Sequence, residues 1–134
     1  MLRVGLASVG EVDRLWPLLS DGMGKACRRC DSAWTAGELW QLCRGGGAFL
    51  VLVYDDDKIW SAGVWRFEQA RPGPSLRCVM MFGTNMRDWL NLARDFINKM
   101  AKDNGAKALV AEGRPGWARV FGMKKTGLDY EVII

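Results

Sequence analysis

The chain has 134 residues, a mass of 15.0 kDa and a net charge of +4 at pH 7, enough for one domain with a real core and too little for two. Its 49% apolar and 25% charged residues exclude a wholly disordered chain, and the absence of histidine excludes Ser-His, Cys-His and His-metal chemistry. Lys and Arg are scattered instead of massed, which argues against a nucleic-acid partner. No apolar run is long enough to span a bilayer, and Met1-Leu2-Arg3-Val4 has no signal-peptide core, so the chain reads as cytoplasmic.

Arg3 to Ala7 is a short apolar strand, turned by Ser8-Val9-Gly10 into a helix from about Glu11 to Leu19. Val12, Leu15, Trp16 and Leu19 fall at helical spacing, with Pro17 expected to kink or shorten the end. Asp21 to Ser32, rich in glycine, basic residues and cysteine, reads as a mobile loop. Thr35, with Glu38 three residues on, is a capping box opening a second helix through Leu39, Trp40, Leu42 and Cys43, which Gly45-Gly46-Gly47 ends.

Ala48 to Tyr54 is a near-continuous apolar run, as in a strand covered on both faces. Asp55-Asp56-Asp57-Lys58 is a solvated turn, its carboxylates pointing apart and so poorly suited to a metal. It leads to a hairpin strand from Ile59 to Gln69. Arg71-Pro72-Gly73-Pro74 breaks the chain before a strand from Leu76 to Phe82. The longest helix runs from about Met86 to Asp103, with Met86, Trp89, Leu90, Ala93, Ile97 and Met100 on one face and Gly105 as the stop. Ala106 to Glu112 is a fourth central strand, followed by Gly113-Arg114-Pro115-Gly116-Trp117-Ala118-Arg119 and a last strand from about Gly127 to Ile134. That order implies an α/β domain over residues 1–134, a mixed sheet with helices on both faces.

Two further groups carry chemical expectations. Cys27 and Cys30 form a CxxC flanked by arginines that would lower a thiol pKa, although a single CxxC with Cys43 and Cys78 apart from it is no zinc site. Of the seven tryptophans, Trp60 and Trp65 lie five apart and so face opposite sides of a strand. Either two helical layers bury both, or one is exposed as a contact surface for a protein partner or a second copy in a homodimer.

The element order over nearly the whole chain resembles the GCN5-related N-acetyltransferase (GNAT) fold, a mostly antiparallel mixed sheet with helices on both faces. Trp117 to Phe121, Gly122-Met123 and Lys124 to Ile134 look like that family's closing helix, Gly-Phe pair and last strand. Gly113 to Val120 also resembles a motif of small acetyltransferase-like proteins of tailed bacteriophages and prophages. The resemblance implies acetyl-CoA or another acyl-CoA held by Met81, Phe82, Gly83, Thr84, Asn85, Arg87 and Asp88, with a small or protein amine as acceptor. It implies Glu68 or Glu112 as base, and the host cytoplasm or a virion as location for a phage-encoded member. Two departures stand against it. Arg87 and Trp89 hold the places of the two glycines of the phosphate loop, where a tryptophan would fill the phosphate's space and Asp88 would repel it. Ala118 stands where many members carry a tyrosine acid. The alternative is a catalytically inactive member that uses the scaffold as a binding or virion-associated module.

Overall fold

In the computed structural model residues 1–70, 73–112, 120–126 and 129–134 are described, Ala70 by its backbone alone. The segment Gly113 to Arg119, with Ala118 and most of the short helix expected over Trp117 to Phe121, lies outside the described residues. The strands are β1 (Arg3–Ala7), β2 (Phe49–Tyr54), β3 (Ile59–Ala70), β4 (Gly73–Gly83), β5 (Ala108–Glu112), β6 (Lys124–Thr126) and β7 (Asp129–Ile133). The helices are α1 (Val12–Arg29), α2 (Ala36–Arg44) and α3 (Met86–Asp103). The sheet runs β1-β2-β3-β4-β5-β7-β6. Every pair is antiparallel except β4 with β5, which α3 connects.

Both faces of the sheet are covered, as the apolar run of β2 implies. Leu50 and Leu52 of β2 with Ala62 and Val64 of β3 pack under α1 and α2. Val51 and Trp65 pack on the opposite face with Ile97 and Ala101 of α3, and Val53 there with Trp89 and Ala93.

The largest correction concerns α1. The segment expected to be mobile from Asp21 to Ser32 is helical as far as Arg29. Leu15, Trp16, Leu19, Met23, Ala26 and Cys27 form one continuous buried stripe, and burying it outweighs both Pro17, which has no N–H for the preceding turn, and the propensity cost of Gly22 and Gly24. α1, α2 and α3 end in the same way. The second residue beyond the cap donates its N–H to a carbonyl five residues back: Ser32 to Cys27, Gly47 to Leu42, Ala106 to Ala101. The residue between is left-handed in each case, glycine in α2 and α3 (Gly46, φ 81°; Gly105, φ 78°) but Asp31 in α1 (φ 51°). The capping box of α2 is as expected, with Glu38 N–H donating to Thr35 Oγ1 and Thr35 N–H to Glu38 Oε1.

A bulge overturns the expectation that Trp60 and Trp65 face opposite sides. Val53 pairs with Ser61 and Tyr54 with Ile59, which leaves Trp60 without a partner on β2. Strict alternation fails there, and Trp60 packs with Val53, Trp89 and Ala93 on the α3 side, the same side as Trp65. Among the six described tryptophans none is exposed: Trp16, Trp65 and Trp89 are buried, and Trp34, Trp40 and Trp60 half-buried. A second bulge lies in β4, where Val64 faces Met80 and Trp65 faces Cys78, so that Val79 is the extra residue.

The Asp55 turn is organised by its first carboxylate. Asp55 Oδ1 accepts from the N–H groups of Asp57 and Lys58 at 2.8 and 2.9 Å, and Oδ2 from Trp60 Nε1 at 2.8 Å. The Trp60 bond, then the two backbone bonds, hold the Asp55 carboxyl down at about 2, against an ordinary 3.8. A depressed folded-state pKa stabilises above the unfolded value and is lost as pH falls through the folded one. The turn's contribution is therefore complete above about pH 4 and vanishes toward about pH 2. In urea titrations at stepped pH, Asp55→Asn should flatten that part of the stability curve relative to wild type.

Candidate functional site

The site follows from where β4 and β5 part. Their parallel pairing covers Ser75 to Cys78 against Ala108 to Ala111 and stops there, while β4 continues paired to β3 as far as Gly83. Among the described residues the backbone of β4 from Val79 to Gly83 has no strand partner on the β5 side, and the Val79 bulge sits at the vertex. An open cleft of about 1400 Å³ occupies the gap. α1 forms its other wall, presenting Leu18, Gly22, Lys25, Ala26 and Arg29 at helical spacing. Gly22 is needed there: a Cβ would lie 2.5 Å from the Phe82 ring.

Of the residues expected to hold acyl-CoA, Met81, Phe82, Gly83 and Thr84 line this cleft, joined by Met86, and Glu112 lines its far end. Asn85, Arg87, Asp88 and Glu68 are outside the lining. Asn85 is left-handed (φ 54°) at the start of α3, and Asp88 N–H donates to its carbonyl at 3.0 Å. Arg87 and Asp88 are exposed on the first turn of α3.

Trp89 does not fill the place expected of it. It is buried against Val53 and Ala93, close under Gly83, and its Nε1 donates to the Thr84 carbonyl at 2.6 Å. Thr84 N–H donates to the Trp60 carbonyl at 3.0 Å. The loop between β4 and α3 is thus tied inward, and the helix-packing role, not the blocking one, is what Trp89 performs. Met86, expected on the same packed face, is exposed at the cleft.

At the far end, Arg77 gathers the carboxylates. Its Nε donates to Glu68 at 2.8 Å, its two terminal nitrogens grip Asp129 at 3.0 and 2.9 Å, and Nη1 lies 3.7 Å from Glu112. The Arg77 side chain is only 12% exposed, and its hydrogen bonds to Asp129, followed by those to Glu68, hold the proton more firmly than usual despite burial. Arg66 stands 3.7 Å from Glu68, with the Trp34 ring 5.8 Å from its guanidinium. The two carboxylates singled out in the sequence therefore belong to one network, and its centre and its Asp129 arm were missed. The available signal was a lone arginine inside the apolar run from Leu76 to Phe82.

The cysteines do not support a reactive pair. All four are free thiols, and burial, reinforced by neighbouring Cys30, raises Cys27 where flanking arginines were expected to lower it. Burial also pushes Cys43 up to about 11 and raises Cys78. Among the described residues no cluster of three His, Cys, Asp or Glu side chains is placed to hold a metal ion, and no helix is long and apolar enough to cross a membrane.

No model of a known protein family and no curated protein matches the chain. Solved structures do. A GNAT family acetyltransferase from Brucella melitensis in complex with acetyl-CoA is 13% identical, with TM-score 0.69 over 100% of this chain and 88% of that one. The Drosophila melanogaster polyamine N-acetyltransferase, which forms N-acetylagmatine, is 9% identical with TM-score 0.72 over the full length of both. The GNAT domain of S. lividans PAT is 12% identical, with TM-score 0.70 over 99% and 90%. The seven-stranded, mostly antiparallel sheet with its three helices is the GNAT fold.

Proposed function

We propose that the chain, acting as a single domain, transfers an acyl group from acyl-CoA to an amine. The observation that carries this reading is the divergence of β4 from β5 at the Val79 bulge, which leaves a stretch of strand backbone facing a cleft of ligand size. Peptide-like amides of a pantetheine arm are suited to pair with such an edge, so Val79 to Gly83 fit that part of acyl-CoA. The phosphate end fits less closely. Thr84 and Asp88 use their backbone groups internally, which leaves the first turn of α3 and the Arg87 guanidinium as anion donors, opposed by Asp88.

Acyl-CoA would supply an acyl group already activated as a thioester. The protein's own work is then to orient the amine and take its proton. Glu112, on the cleft, is the better placed acceptor, directly or through a water; Glu68, hydrogen-bonded to Arg77 away from the lining, is the reserve candidate. The amine nitrogen bonds to the thioester carbon as the carbon–sulfur bond breaks, and the proton lost by nitrogen balances the departing thiolate. Small amines are the acceptors favoured by the polyamine-acting neighbour.

One observation favours a second reading. The inward-tied β4–α3 loop and Asp88 beside it suit a catalytically inactive binding module, such as a phage, prophage or virion-associated protein. Calorimetric titration with acetyl-CoA separates the two. Binding below about 1 mM, equivalent to about 4 kcal/mol, is expected of the enzyme, and Arg87→Ala should weaken it about three- to tenfold. No heat at millimolar ligand sinks the acyltransferase reading, and unchanged affinity in the variant removes Arg87 as anchor.

A further inference from the structure

We infer that Arg77 is the positioning residue of the cleft: it pins the vertex where β4 and β5 part and thereby sets where Glu112 stands. The role of Glu112 rests on the acyltransferase reading; the pin itself rests on geometry alone. Arg77 lies opposite Val110, one pair before the parallel ladder ends at Cys78 and Ala111. From that position one guanidinium reaches three other strands: Glu68 on β3, Glu112 at the end of β5 and Asp129 at the start of β7. Glu112 and Asp129 face each other as the last pair of β5 with β7. The β5–β7 unit therefore leaves β4 at an angle held by four ladder pairs and by this planar fork.

The chemistry selects arginine. A guanidinium presents parallel donors to Asp129 while its Nε points toward Glu68, all in one plane. An ammonium keeps the charge but cannot hold two carboxylates in a fixed mutual orientation. Arg77 lines the same cleft but belongs to the paired part of β4, two residues before the edge that would carry a pantetheine arm, and its carboxylate partners lie on the Glu112 side, so losing its geometry should disturb the amine end of the cleft more than the acyl-CoA end.

Arg77→Lys is the decisive variant, because it keeps the partly buried charge balanced. Hydrogen exchange read by mass spectrometry should accelerate roughly tenfold in peptides covering β5 and β7 and stay unchanged in β2 and β3. In turnover assays kcat should fall about ten- to a hundredfold and the amine KM should rise, while calorimetric affinity for acetyl-CoA stays within about twofold. A neutral triple variant, Arg77→Met with Glu68→Gln and Asp129→Asn, removes the guanidinium together with the two carboxylates hydrogen-bonded to it and should show the same loosening. Wild-type exchange in Arg77→Lys overturns the pin. Full recovery in the triple variant also overturns it, since the guanidinium would then only balance charge. Exchange does not depend on acyl-CoA, so loosened β5–β7 peptides in a protein that binds no CoA would uphold the pin and sink only the enzyme reading.

Discussion

Trp89→Ala is expected to cost about 3–5 kcal/mol of folding stability. The indole is 1% exposed, fills the space under Gly83 and beside Val53 and Ala93, and gives its N–H to the Thr84 carbonyl. Truncation would leave a cavity between α3 and the sheet and remove the donor that turns the β4–α3 loop inward. Set against a total of about 5–15 kcal/mol for a domain, this is a large fraction. The urea midpoint should drop with little change in slope, and Trp89→Phe should recover most of the packing but not the loop. A loss below about 1 kcal/mol would mean that the site collapses freely, contrary to the packing described.

Gly22 and Gly24 should respond to alanine in opposite directions. Alanine gains about 1 kcal/mol over glycine from helix propensity alone. At Gly24 the new Cβ would meet only the mobile end of Arg28 at 3.3 Å, so the propensity gain should survive and Gly24→Ala should stabilise by about 0.5–1 kcal/mol. At Gly22 it would lie 2.5, 2.6 and 2.7 Å from three Phe82 ring atoms. Overpacking of that kind typically costs about 1–3 kcal/mol, enough to outweigh the propensity. Gly22→Ala should therefore destabilise, and adding Phe82→Leu should recover part of the loss, giving a coupling energy of about 1 kcal/mol or more in a double-mutant cycle. Additive effects would show that α1 is free to move off β4.

Local signals carried most of the fold. The stripe of α3, the capping box of Thr35 and Glu38, Gly105 and the two hairpins depend on neighbours a few residues apart, and the helix bounds at Met86 and Asp103 follow from them. α1 was misread because its interior holds Pro17, Gly22 and Gly24, and because its end is made by Asp31 in a left-handed conformation usually given to glycine. The stretch from Lys124 to Ile134, which resembles one closing strand, holds two, β6 and β7, paired antiparallel; Lys124 to Thr126 have no buried face whose period would separate them from β7. Trp60 and Trp65 share a side of the sheet because a bulge changes parity, and a bulge has no signature in the alternation it breaks. The Arg77–Asp129 pair joins positions 52 apart in the chain, beyond the reach of any periodicity. Glu112 was legible as a strand-end carboxylate, but its relation to Glu68 needed the sheet order.

The two outer strands bear on whether further chains can add to the sheet. An open sheet offers bare N–H and C=O groups at each edge, a template on which further strands can grow. Here β6 is three residues long and fully exposed, with Lys124 and Lys125 side by side, so a strand laid against it would gain few hydrogen bonds and crowd two charges. At the other edge β1 is five residues long and opens with the half-exposed Arg3, tied to Asp56. Shortness and charge together deny fibrous growth a foothold at both ends of a sheet whose central strands β3 and β4 run to 12 and 11 residues.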